Sequence, residues 1–169
     1  MEFWSQTSTP VVFDVNTPDP KANRFLAEPS FPDDEGHADE VLRDALRAGP
    51  VQLVSGIARD LALELLMGSR LLIAVVADAD EIDEESGADK SSHMSVVSMV
   101  NPNGERGLLA FTGLDSMALW DPKARPVPIN GPDAARAALD DKCHAVVIDV
   151  LGPIRHVVTG ERLAFLARG

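Results

Sequence analysis

Leu71-Leu72-Ile73-Ala74-Val75-Val76-Ala77 is the longest unbroken apolar run in the chain. Successive side chains of a strand point to opposite faces. A strand with this sequence is therefore apolar on both faces, as in a sheet covered on both sides. The run is also far below the roughly 18 apolar residues that mark a membrane-spanning helix. It predicts a central strand, and the rest of the chain is read outward from it.

Toward the C-terminus, an acidic loop at 78–92 leads to a second strand, Met94 to Val100. Asn101-Pro102-Asn103-Gly104 places Pro, Asn and Gly where a tight turn takes them, which predicts a hairpin into Gly107 to Phe111. Thr112-Gly113-Leu114-Asp115 matches a capping box in which the Thr112 hydroxyl accepts from the Asp115 N–H, opening a helix over 113–120. A strand follows at Arg125 to Ile129. A helix then starts near Pro132, a favoured first position, and carries Ala134, Ala135, Ala138 and Leu139. His144 to Val150 and Ile154 to Val158 read as strands joined by Leu151-Gly152-Pro153, and 160–168 as a terminal helix.

Toward the N-terminus, 51–67 repeats Val54, Ile57, Ala58, Leu61, Ala62 and Leu65 at helical spacing, with Gly56 as the point where a helix would break. In 38–48, Val41, Leu42, Ala45 and Leu46 form an apolar stripe; Asp39, Glu40, Arg43, Asp44 and Arg47 are expected to face water, and Gly49-Pro50 stops the helix. Residues 1–36 read as an arm, mostly loop, holding five of the twelve prolines. Val11 to Val15 is the exception: it can add an edge strand to this sheet or to a partner's. The expectation is an α+β domain over 37–169, a single mixed sheet of about five to six strands with helices on its faces.

Composition narrows the functions. The net charge is −12 and the pI about 4.6, so a broad nucleic-acid surface is not expected. Tyrosine is absent and aromatics make up 5%, which leaves an aliphatic core. Cys143 is the single cysteine, so no internal disulfide forms. The first residues carry no basic-then-apolar leader, and a cytoplasmic location is expected.

Several segments in series resemble the N-terminal domain of the SseB (enhanced serine sensitivity) family, of the actinobacterial type. Asn23-Arg24-Phe25 precedes Asp33-Asp34-Glu35-Gly36, where Glu35 stands in place of the family's glycine and is expected to loosen the turn. Asp89-Lys90-Ser91-Ser92-His93-Met94 follows, then Ala110-Phe111-Thr112, Trp120-Asp121-Pro122, Arg125-Pro126-Val127-Pro128, and Val147-Ile148-Asp149 with Gly152-Pro153. The resemblance implies the fold and supplies no catalytic residue to carry over.

The residues weighed for chemistry give little. The loop 78–89 holds seven acids in twelve residues, yet Ile82, Asp83 and Asp89 stand where an EF-hand needs a ligand, a glycine and a glutamate. Lys90 beside Ser91 and Ser92 is a conceivable nucleophile–base pair, but the surrounding carboxylates hold Lys90 protonated. His37, His93, His144 and His156 lack metal-ligand spacing, although His144 and His156 could face each other across the last hairpin. Cys143 follows two aspartates at a helix end, where a thiolate is disfavoured. Trp120 with Asp121 and Arg125 suits a recognition corner, since Trp and Arg dominate binding hot spots; the ordinary alternative is Trp120 packing on the sheet with Arg125 paired to Asp121. The sequence thus points to a non-catalytic interaction or regulatory module whose marked residues are Asp34, Asp89, Lys90, Ser91, Ser92, Trp120, Asp121 and Arg125. It implies no cofactor, metal, nucleic acid or membrane, and a homodimer through the arm or a sheet edge. The competing reading is a small-molecule binder or small enzyme using Asp89 to Ser92.

Overall fold

The computed structural model of the protein describes residues 9–14, 31–49, 52–54, 57–78, 93–152 and 154–169. In chain order the elements are β1 (Thr9–Asp14), α1 (Glu40–Ala48), β2 (Gln52–Val54), β3 (Ile57–Arg59), α2 (Leu61–Leu66), β4 (Arg70–Asp78), β5 (His93–Val100), β6 (Arg106–Phe111), α3 (Leu114–Trp120), β7 (Arg125–Asn130), α4 (Gly131–Asp140), β8 (Ala145–Ile148), β9 (His156–Thr159) and α5 (Gly160–Leu166). Among the described residues, seven strands make one mixed sheet, and β2 and β3 form a separate hairpin. The class is α+β, as expected.

β4 is the central strand. Along one edge it pairs with β7, from Arg70↔Asn130 to Val75↔Arg125. Along the other it pairs first with β6, at Leu72↔Phe111 and Ile73↔Ala110, and then with β5, from Val75↔Val96 to Asp78↔His93. β5 and β6 also pair with each other, from Ser98↔Leu108 to Val100↔Arg106. All three pairings are antiparallel. Three mutually antiparallel strands cannot lie in one plane, so the sheet folds over at this junction. β8 lies parallel to the far edge of β6 and takes β9 antiparallel. β1 covers the outer edge of β5 within its own chain, from Thr9↔Val100 to Asp14↔Ser95.

The period of two divides the core between the faces. Leu71, Ile73, Leu108, Ala110, Val146 and Ile148 pack with Leu42, Leu46, Leu66, Ala135, Leu163 and Leu166 of helices α1, α2, α4 and α5. Leu72, Ala74, Leu109, Phe111, Ala145 and Val147 pack on the opposite face with Met117 of α3. Gly131 lets α4 cross closely over α2: a Cβ there would lie 2.0 Å from the Leu66 carbonyl oxygen.

β7 ends the sheet on one side with Pro126 and Pro128, which share a parity. Proline has no N–H, so the β7 donors to β4 come from the other parity, and the outer edge lacks donors at 126 and 128.

Three expectations are corrected. The helix over 51–67 is instead a hairpin followed by a one-and-a-half-turn helix. Val54 and Ile57 are register partners in an antiparallel pair, which a continuous helix cannot supply. Asp60 then caps α2, its carboxylate accepting the Leu63 N–H at 3.0 Å. Spacings of three and four fit either structure over so short a stretch. On α1, Leu42, Ala45 and Leu46 are buried as expected, but Val41 is exposed and Arg43 is buried in its place. His144 and His156 do not face each other, because His156 pairs with Ile148 at the other end of the β8–β9 ladder. The turn at 101–104 forms as read, with the Asn101 Oδ1 accepting from the Asn103 and Glu105 N–H groups at 3.0 and 2.9 Å.

Candidate functional site

β6 and β8 are parallel neighbours, so their carboxyl ends emerge side by side. In sheets with parallel pairs this is the end at which sites are built. Thr112 leaves β6 and Asp149 leaves β8. Asp149 is fully buried in a left-handed conformation, φ 49°. One carboxylate oxygen accepts the Thr112 N–H at 2.8 Å and the other accepts the Thr112 hydroxyl at 2.6 Å. That hydroxyl in turn accepts from Arg43 Nε at 2.9 Å. Thr112 is therefore a relay between a buried carboxylate and a buried guanidinium, and does not cap α3 as expected. The cap residue is Gly113, held by Ser116, whose Oγ donates to the Gly113 carbonyl at 3.0 Å.

Arg43 reaches out of this relay to the surface. Its Nη2 donates to Asp115 Oδ1 at 2.6 Å and its Nη1 to Glu40 at 3.4 Å. The Asp115 bond outweighs burial and raises the guanidinium pKa, while Arg43 holds the Asp115 carboxyl below its ordinary value.

Arg70 of β4 fixes the segment that approaches α3. It donates to the Thr112 carbonyl at 2.9 Å and to the His37 carbonyl, and pairs with Asp34 at 2.9 Å. Asp34 also accepts the Gly36 N–H at 3.1 Å, and the Gly36 carbonyl accepts the Leu114 N–H at 2.8 Å. Gly36 has φ +76° and lies against Leu114, where a Cβ would come within 2.4 Å. The turn is thus closed despite Glu35, whose side chain points outward, 81% exposed. Asp34 serves as an anchor.

Together these groups shape a pocket of about 340 Å³ lined by Glu35, His37, Glu40, Arg43, Leu114 and Asp115. Glu40 and Asp115 are 75% and 60% exposed, whereas Arg43 is 8% exposed and its donors are committed inward or to these carboxylates. Glu35 lies 3.5 Å from the His37 imidazole, so three carboxylates face one guanidinium and one imidazole, with Leu114 as the apolar wall.

α3 runs from this pocket to Trp120. The Trp120 ring lies 5.7 Å from that of Phe111, tilted 34°, and is half-buried on the α3-side core. Asp121 accepts the Lys123 N–H at 2.8 Å in the turn that follows. Arg125 is exposed at the start of β7, and among the described residues no ion pair joins it to Asp121. The structure therefore places Trp120, Asp121 and Arg125 along one corner, and Asp34 at the other end of α3. Asp89, Lys90, Ser91 and Ser92 lie outside the described residues.

A second polar cluster joins β9, α5 and α2. Arg162 Nε meets Asp60 at 2.7 Å and its Nη2 lies 3.4 Å from His156 Nε2. Burial, then the Arg162 charge, push the His156 pKa down. Cys143 is buried and its thiol is pushed up to about 11 by burial. Among the described residues no three carboxylate, imidazole or thiol groups converge to hold a metal ion, and no helix is long and apolar enough to cross a membrane.

The family model for the SseB protein N-terminal domain matches residues 42–164. The chain belongs to this family. The SseB match takes in the sheet from β4 to β9 and the Arg43–Thr112–Asp149 relay, while β1 and the Asp34–Gly36 turn lie before it. No curated protein and no solved structure matches the chain.

Sequence reasoning passed over Arg43, Arg70, Thr112 and Asp149 as functional groups. The available signal was Val147-Ile148-Asp149, a carboxylate ending an otherwise apolar strand.

Proposed function

We propose that this SseB domain is a non-catalytic protein-interaction module whose recognition element is α3. Its partner is a basic segment with an apolar residue next to a Lys or Arg. The observation that carries the reading is the division of labour around Arg43. The buried polar groups are spent on one another, and the solvent-facing carboxylates Glu35, Glu40 and Asp115 around Leu114 outnumber the one guanidinium, Arg43, that pairs with two of them. A Lys or Arg stem would lie along Leu114 with its head among these carboxylates. Leu119, 61% exposed on the same helix, and the Trp120–Arg125 corner extend the face. Residues 89–92, on which a small-molecule or enzymatic reading depends, lie outside the described residues, and no described geometry favours that reading.

Exposed ion pairs contribute only about 0.2–1 kcal/mol each, so the affinity is modest and salt-sensitive. The test is fluorescence anisotropy with a labelled peptide of alternating Leu and Lys, and with its Leu–Glu counterpart. The full chain should bind the cationic peptide alone. Glu35→Lys combined with Glu40→Lys should weaken binding about tenfold or more, since two attractive pairs are lost and two repulsive ones gained. If the double variant keeps the wild-type circular dichroism spectrum and binds equally well, the pocket is not the recognition site.

A further inference from the structure

We propose that the outer edge of β5 is a strand-accepting surface and that its partner is β1 of a second copy of this chain, giving a strand-exchanged dimer. An exposed sheet edge is a template for another chain and must be blunted or covered. β7 is blunted by Pro126 and Pro128. β9 is four residues long and runs directly into α5. β5 has neither device: His93–Val100 is eight residues long and contains no Pro, Gly or Lys. What covers it is β1, through six register pairs.

β1 pairs with β5 and with no other described strand. It also lies outside residues 42–164, whereas β5 lies within them. The acceptor edge thus lies within the span that matches the family, and its cover lies before that span. The six pairings have the same geometry whichever copy supplies β1, so reciprocal exchange keeps every ladder bond. The tether permits it. The sixteen residues from 15 to 30 can span up to about 50 Å, against a radius of gyration near 15 Å for a chain of this length. A tethered strand has an effective concentration of the order of millimolar. The exchanged form is therefore a minority at micromolar chain and grows as the chain approaches millimolar.

A covalent trap collects that minority. Full chains carrying Thr9→Cys are mixed with full chains carrying Val100→Cys under oxidised glutathione; these positions are register partners, and the buried Cys143 does not compete. The expected product is a disulfide-linked dimer of the two chains, its yield rising at least fivefold as chain concentration is raised tenfold from 50 µM. It should be lost when Val11→Pro and Val12→Pro are added to the Thr9→Cys chain, since these remove one donor toward each edge of β1. Val100→Cys replaced by the off-register Ser95→Cys should give no product. The intramolecular control is one chain carrying both Thr9→Cys and Val100→Cys. If that chain closes on itself while the mixture yields no dimer, β1 stays in cis and the proposal is overturned. It is equally overturned if neither disulfide forms, or if Ser95→Cys cross-links as well as Val100→Cys.

Discussion

Replacing Thr112 by valine removes one hydroxyl and takes a hydrogen bond from each of two buried charged groups. The hydroxyl donates to Asp149 at 2.6 Å and accepts from Arg43 at 2.9 Å, and Thr112, Asp149 and Arg43 are all buried. In Thr112→Val the shape is nearly kept, the Asp149 carboxylate keeps the Thr112 N–H bond but loses the hydroxyl, and the Arg43 Nε loses its acceptor. A hydrogen bond to a charged group is worth about 1.5–3 kcal/mol, and breaking a buried charged network by removing one member about 3–5 kcal/mol. The expected loss is therefore about 4 kcal/mol. At about 2–4 °C per kcal/mol for a chain of this size, the melting temperature should fall by roughly 8–16 °C. Thr112→Ser keeps the hydroxyl and removes a methyl, which should cost only about 1 kcal/mol. Equilibrium urea unfolding of the three proteins, followed by circular dichroism, measures the difference directly, with the slope against urea expected to stay constant. If the valine and serine variants unfold within about 0.5 kcal/mol of each other, the relay does not stabilise the fold and the account of Thr112 is wrong.

Gly131→Ala would drive a methyl to 2.0 Å from the Leu66 carbonyl oxygen, so calorimetry should show a loss of about 1–3 kcal/mol from forced separation of α2 and α4. His156 has a folded pKa below the ordinary 6.5, so as pH falls the unfolded chain takes up the proton first. The stability that its neutral form contributes is complete above about pH 6.5 and is lost as pH drops toward the folded pKa. His156→Gln should therefore flatten the dependence of the urea midpoint on pH between 7.5 and 5.5; an unchanged slope would show that another group sets it. Cys143, with a thiol near 11 and 4% exposure, should react with a disulfide reagent at pH 8 only after unfolding, and prompt labelling of the native protein would contradict its placement.

Where the period of two was strong, the sequence was enough to locate structure. Leu71 to Ala74 alternates between the two cores because β4 has strands on both edges and helices on both faces, and the unbroken apolar run is the signature of that burial. Asn101 to Gly104 was legible because its turn is made by the Asn101 side chain itself. The stretch 51–67 was not, since a spacing of three between Val54 and Ile57 fits antiparallel register partners as well as one face of a helix. The site was harder still. Arg43 sits among charged residues on α1, and only a residue 69 positions away, Thr112, turns it inward. A local pattern contains no trace of such a partner. The Thr112–Asp115 spacing even suggested the wrong one, because Asp149 competes for the hydroxyl and wins by being both charged and buried. That Asp34 holds the approach to α3 through Arg70 was not legible, because it depends on β4 being beneath it.

The three-way meeting of β4, β5 and β6 has a mechanical consequence. In an ordinary sheet an outer strand can peel away and leave its neighbours zipped. Here β4, β5 and β6 each hydrogen-bond both of the others, so withdrawing any one of them unfastens two seams together. Slow amide exchange at Ile73, Val96 and Ala110 should accordingly report a single opening event with a shared free energy, whereas β9, tied by one seam among the described residues, should open on its own at lower energy.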